Sequence, residues 1–188
     1  MPLPEPSPRR PSHTRAVRYE AFQRDDGLWD IEGEMRDTKS EVFDIPGEGL
    51  WQPGEAIHHM HIRLTLDTAF VVQDIHVAMD SVPHGECPSA QATMRRMVGC
   101  SLSGGWRPTI ERQLGGVQGC AHLRELLFNM ATVAFQALPN AFSGDAERPP
   151  LHLGRCKAWD FDGPLVQKHH PVFFGYQPKP KKPVPPRA

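Results

Sequence analysis

The sequence predicts an α+β domain: an antiparallel sheet of β-hairpins followed by helices packed on one face. Three observations predict it. Residues 57–67 and 71–80 alternate apolar and polar side chains with the period of a half-buried strand. Residues 119–138 carry apolar side chains at the three- and four-residue spacing of an amphipathic helix. The strand-like segments come first and the helical ones after, unlike the alternation of a doubly wound parallel sheet.

Residues 15–24 (RAVRYEAFQR) read as a strand, Asp25-Asp26-Gly27 as a hairpin turn, and residues 28–36 (LWDIEGEMR) as the returning strand. Pro46, Gly47, Gly49, Pro53 and Gly54 predict a loop over 37–55. In the next strand His58, Met60, Ile62, Leu64 and Leu66 share one face, and His59, His61, Arg63 and Thr65 the other. After a turn at 68–70 the chain returns, with Val71, Ile75, Val77 and Met79 alternating against Val72, Asp74, His76 and Asp80.

Helical spacing then takes over. Residues 88–98 place Ala90, Met94, Met97 and Val98 on one face, and Gly99 stops them. Residues 106–114 form a short helix that tolerates Pro108 in its first turn. The helix over 119–138 buries Leu123, Leu126, Leu127, Met130, Ala134 and Leu138, and Pro139 ends it. Residues 140–150 read as a loop. Trp159, Phe161, Phe173 and Phe174 are expected to pack residues 151–174 onto the core.

Domain limits follow from composition. Residues 1–14 form a Pro-rich tail and 176–188 a Pro/Lys-rich one; both lack the apolar groups that would offset the entropy of ordering. Residues 15–175 form the single α+β domain between them. The 21 basic and 22 acidic residues leave a net charge of −1, which gives no general attraction to nucleic acid or a membrane surface. No apolar run approaches the roughly 18 residues that cross a bilayer, and the N-terminus lacks the apolar stretch of a secretory signal. Four cysteines in 188 residues are not a disulfide framework. A reducing cytoplasm is the expected compartment.

The chemistry is expected on Cys87 and Cys120. Cys120 follows Gly119 at the start of the long helix, where partial positive charge and free amides favour a thiolate. His122 lies two residues on. Cys87 precedes Pro88-Ser89 at another helix start, so the same argument applies, with His84 nearby. His58 faces the helices, and so these cysteines. His59 and His61 share the opposite face, where an antiparallel partner can bring His76 and Asp74 near and form a nitrogen/oxygen metal site. The glycine-rich stretches 99–105 and 114–119 lack nucleotide-binding spacing and read as tight turns. Cys100 and Cys156 read as packing residues.

Two resemblances follow. Gly104-Gly105-Trp106-Arg107, Leu114-Gly115-Gly116 and Gly119-Cys120-Ala121-His122-Leu123-Arg124-Glu125-Leu126 resemble a bacterial family known as a domain of unknown function (domain of unknown function 2889). More distantly, residues 60–74 (MHIRLTLDTAFVVQD) resemble the central hairpin of the U-type iron–sulfur cluster scaffolds. Cys87-Pro88-Ser89-Ala90 is similar to that family's Cys-x-Ser-Ala, and Cys120-Ala121-His122-Leu123-Arg124-Glu125 to its last ligand segment. The chain departs at the first family cysteine, which falls at Ala56, and at the histidine before the last cysteine, which is Gly119 here. The resemblance implies the same fold, with Cys87 and Cys120 as ligands; it leaves the first position open, and His58 is the candidate to fill it.

Three readings stand at this point. The first is a scaffold-like protein that binds zinc or an iron–sulfur centre through Cys87 and Cys120, with His58 as third ligand and His122 as a ligand or orienting group. The second is an enzyme with Cys120 as nucleophile and His122 or His58 as base. The third is a metal-free module that binds a protein partner through the tails or the His-rich sheet face.

Overall fold

The computed structural model describes residues 3–139, 144 and 148–178. Contacts divide the chain into two compact units, Met1–Leu138 and Pro139–Ala188. The first is the α+β domain. Strand β1 (His13–Gln23) pairs with β2 (Trp29–Lys39) across the Asp25-Asp26-Gly27 turn, where Gly27 adopts φ 85°. Strand β1 thus begins two residues before the predicted start. Residues 3–12 before it are exposed and carry neither helix nor strand.

Residues 37–55 are not simply a loop. Asp37, Thr38 and Lys39 finish β2, and β3 (Phe43–Ile45) and β4 (Gly49–Trp51) form a small separate hairpin. Its Pro46-Gly47 turn uses φ 83° at Gly47, and Phe43 packs on Trp51 at 6.1 Å between ring centroids. The Pro and Gly residues that suggested a loop are the punctuation of this hairpin.

Strand β2 continues the main sheet by pairing with β5 (Ala56–Leu66), and β5 pairs with β6 (Val72–Ser81). The order is β1-β2-β5-β6, antiparallel throughout. Ile31, Met35, Met60, Ile62, Leu64 and Leu66 are buried on the inner face. One detail of β6 departs from strict alternation. A bulge between Thr65 and Leu66 pairs Leu66 with Val72 and Thr65 with Asp74. The shift turns Val72 inward, so that Val72 is buried while Val71 is only partly so.

The helices follow the strands. Residues 87–97 are less regular than expected: a 3-10 turn (Cys87–Ser89), one α turn, α1 (Ala90–Thr93), and a second 3-10 turn (Met94–Met97). Met94 and Met97 are buried, but Val98 is exposed because the chain turns extended there. Helix α2 (Trp106–Leu114) has the predicted limits. Its Trp106 ring N–H donates to the Leu127 carbonyl at 2.7 Å. Helix α3 (Ala121–Ala137) buries Leu123, Leu126, Leu127, Met130 and Ala134, the predicted stripe, and Leu138 just beyond it is also buried.

Gly33 sets how closely α3 approaches the sheet. It sits mid-strand on the inner face of β2, opposite Tyr19 of β1. A Cβ there would lie 3.1 Å from the Tyr19 ring and 3.5 Å from Met130 of α3. The missing side chain is replaced by the Tyr19 ring laid over the glycine. Gly33→Val is expected to destabilise the domain by about 1–3 kcal/mol through overpacking. Urea unfolding would check it, and an unchanged midpoint would refute the packing account.

The second unit contains α4 (Pro164–His169) and a small core of Leu153, Val166 and Phe173. Trp159, Phe161 and Tyr176 pack against that core. The aromatic residues expected to close onto the main core therefore have a core of their own; Phe174 is exposed. The predicted loop at 140–150 lies largely outside the described residues, as does the predicted C-terminal tail from residue 179 onward.

Candidate metal centre

The sheet ladder builds one polar row on the otherwise apolar inner face. Arg15 of β1 lies directly opposite Asp37 of β2, and Asp37 lies opposite His58 of β5. Asp37 is 2 % exposed, so its charge needs partners. It has them. Arg15 Nε and an Arg15 terminal nitrogen donate to the two carboxylate oxygens, each at 2.8 Å. His58 Nδ1 lies 3.1 Å from the same carboxylate, and His13 Nε2 3.4 Å. Burial pushes the Asp37 carboxyl up, but Arg15, His58 and His13 together outweigh it and hold it below the ordinary carboxylate range.

The start of α3 covers this row. Arg15 also reaches Glu125 in the second turn of the helix, at 2.5 Å. His122, in the first turn, lies against His58 with 4.1 Å between ring centroids and the rings tilted by 43°. Cys120 occupies the position just before the helix, and its sulfur lies 3.9 Å from His122 Nδ1. Burial pushes the Cys120 thiol up, yet His122 and the amides of Leu123 and His122 outweigh it, and the thiol ends below its ordinary value. Burial and the neighbouring His122 both push His58 down, against the pull of Asp37. His58 is thereby favoured as a neutral imidazole, the form that binds metals.

One ligand atom each from Asp37, His58 and His122 falls within 4.8 Å of the others. Of the four residues singled out from the sequence, the structure brings His58 and His122 into this group; Cys120 touches His122 at 3.9 Å but lies outside the group. Among the described residues Cys87, like Cys120, belongs to neither group of ligand atoms within that distance, and unlike Cys120 it makes no hydrogen bond with His122. It opens a three-residue 3-10 turn, which lacks the aligned peptides of a long helix, so the thiolate argument does not carry over. His84, its expected companion, lies 3.4 Å from Glu48. Cys100, at the other extreme, is pushed up by burial, consistent with a packing role.

Sequence reasoning missed Arg15 and Asp37. A signal was available: counting outward along the hairpin from Gln23↔Trp29 reaches Arg15↔Asp37. Ending the second strand at Arg36 hid it. On the outer face His59 and His61 do share a side, but their acidic neighbours are Glu34 and Asp80. Asp74 instead contacts His76 and Arg95.

The fold and this grouping define an α+β domain with a candidate histidine–cysteine–carboxylate centre under a helix N-terminus. The chain belongs to the family described as "Protein of unknown function (DUF2889)", whose model matches residues 13–136. That span includes the whole sheet and Arg15, Asp37, His58, Cys120 and His122. No curated protein and no solved structure matches the chain. Among the described residues no helix is long and apolar enough to cross a membrane.

Proposed function

We propose that this chain is a metal-binding protein that holds zinc through His58 and His122, with Asp37 orienting His58 and with Cys120, which touches His122 but lies outside the group of ligand atoms, closing in as the thiolate ligand. The observation that carries the reading is the chain of contacts Arg15–Asp37–His58–His122–Cys120. Asp37 is already occupied by both Arg15 nitrogens, so it fits the role of a carboxylate that fixes a ligand histidine rather than that of a ligand. Its bond to Nδ1 leaves the His58 Nε2 lone pair for a metal. Two imidazoles and a thiolate suit zinc's preference for nitrogen and sulfur. The sulfur–nitrogen separation of 3.9 Å between Cys120 and His122 is near the tetrahedral edge of about 3.5 Å that zinc's bond lengths imply. Three protein ligands leave the fourth position open to water, a substrate group or a partner's side chain.

The distant likeness to U-type iron–sulfur scaffolds supports Cys120 together with Cys87, leaves the first ligand position open, and keeps an iron–sulfur centre as the rival metal group. A second reading rests on the same contact: Cys120, with its thiol lowered beside His122, as a nucleophile. Metal content separates these readings. The full chain, purified anaerobically without a metal-affinity tag, is expected to carry near-stoichiometric zinc without acid-labile sulfide. Iron with equimolar sulfide would replace zinc by a cluster. Folded, metal-free protein that takes up no zinc would overturn the metal reading in favour of the nucleophile.

A further inference from the structure

The outer face of the same sheet carries a second convergence of imidazoles and carboxylates, independent of the thiol site. We propose that this face binds a second divalent transition-metal ion through Glu34, His59 and His61, with Asp80 holding the two rings as an orienting carboxylate. Strand alternation sends His58 inward and His59 and His61 outward, so one stretch of β5 serves both faces.

Three strands supply the group. Glu34 of β2 is directly opposite His61 of β5. Asp80 comes from a bulge in β6: the ladder pairs His59 with Ser81 and Met60 with Met79, leaving Asp80 extra. Such a bulge re-aims a side chain, and here it brings one carboxylate oxygen 3.1 Å from His61 Nε2 and 3.7 Å from His59 Nδ1. His59 Nε2 lies 2.9 Å from Glu34. The two rings are 4.5 Å apart, and one ligand atom each from Glu34, His59 and His61 lies within 4.8 Å of the others.

The group holds the two carboxylates of Glu34 and Asp80. Arg18 lies opposite Glu34 and Arg36 opposite His59, but Arg18 ion-pairs with Glu20 at 2.7 Å, Arg36 donates to the Gly54 carbonyl, and Arg63 on the same face ion-pairs with Glu32 at 2.6 Å. A groove lined by Glu32, Glu34, His61, Arg63 and His76 lies on the same face and gives an ion access. Two imidazoles with carboxylates and no thiolate select borderline ions such as zinc or cobalt over magnesium or calcium.

The test is a titration of the chelator-stripped full chain with zinc and with cobalt. In Cys120→Ser/His122→Ala, which disables the inner site, one equivalent of zinc is expected to remain bound. Adding His59→Asn/His61→Asn is expected to weaken that binding by about tenfold or more. Cobalt on this face is expected to give weak absorption without a thiolate charge-transfer band. Should the inner-site variant fold poorly, the ring proton resonances of His59 and His61 in the wild-type chain provide the readout. Saturable zinc-induced shifts of both at one equivalent per site support the proposal. It is overturned if the inner-site variant binds no zinc, if binding is indifferent to His59 and His61, or if their resonances do not move. None of these results depends on whether the thiol site binds metal.

Discussion

Asp37→Ala is expected to cost the α+β domain about 3 kcal/mol of stability, the low end of the range for breaking a buried ion pair. Asp37 is almost fully buried while Arg15 is 28 % exposed, so the arginine can recover some hydration once its partner is gone. His58, 17 % exposed, recovers less. Chemical denaturation would measure the change; a loss below about 0.5 kcal/mol, typical of a surface site, would refute a structural role for the row.

The same row makes stability depend on pH, with a definite sign. Asp37 is held below its ordinary value in the folded chain, so below about pH 4 the unfolded chain binds the extra proton and stability falls. His58 is also depressed, from 6.5. Its contribution is complete above that pH and is lost as pH drops through the lowered folded value. Both groups therefore destabilise the fold on acidification, His58 first and Asp37 later. In Asp37→Ala the lower of these two steps is expected to shrink.

Cys120→Ser is expected to lower zinc affinity at neutral pH by more than the roughly 10- to 100-fold that loss of an orienting partner costs. A hydroxyl is far harder to deprotonate than the thiol, which His122 and the helix amides lower against the opposing effect of burial. In metal-free wild-type protein Cys120 is expected to react with iodoacetamide at pH 7 faster than Cys100, which burial pushes up. Zinc should protect it. A Cys120 no more reactive than Cys100, and indifferent to zinc, would mean that its place at the helix start confers no special chemistry.

Much of this protein was legible in its sequence. The α+β class, the limits of α2, the buried stripe of α3 and the opposite facing of His58 and His59 follow from local period, because alternation and helical spacing are local properties. Cys120 and His122 were legible for the same reason: a helix start creates its electrostatics wherever it lies. Other features required the folded chain. Arg15, Asp37 and His58 meet only because strands far apart in sequence pair in one register. Asp80 reaches His59 and His61 only because a bulge adds a residue to one strand and not to its partner. Cys87 looks like Cys120 in sequence, yet it opens only a three-residue 3-10 turn, whereas Cys120 precedes a 17-residue helix and touches His122. The sequence alone determined the elements and the chemistry each side chain can offer. Tertiary structure decided which side chains share a site, because strand register and bulges are settled by the packing of whole strands against one another.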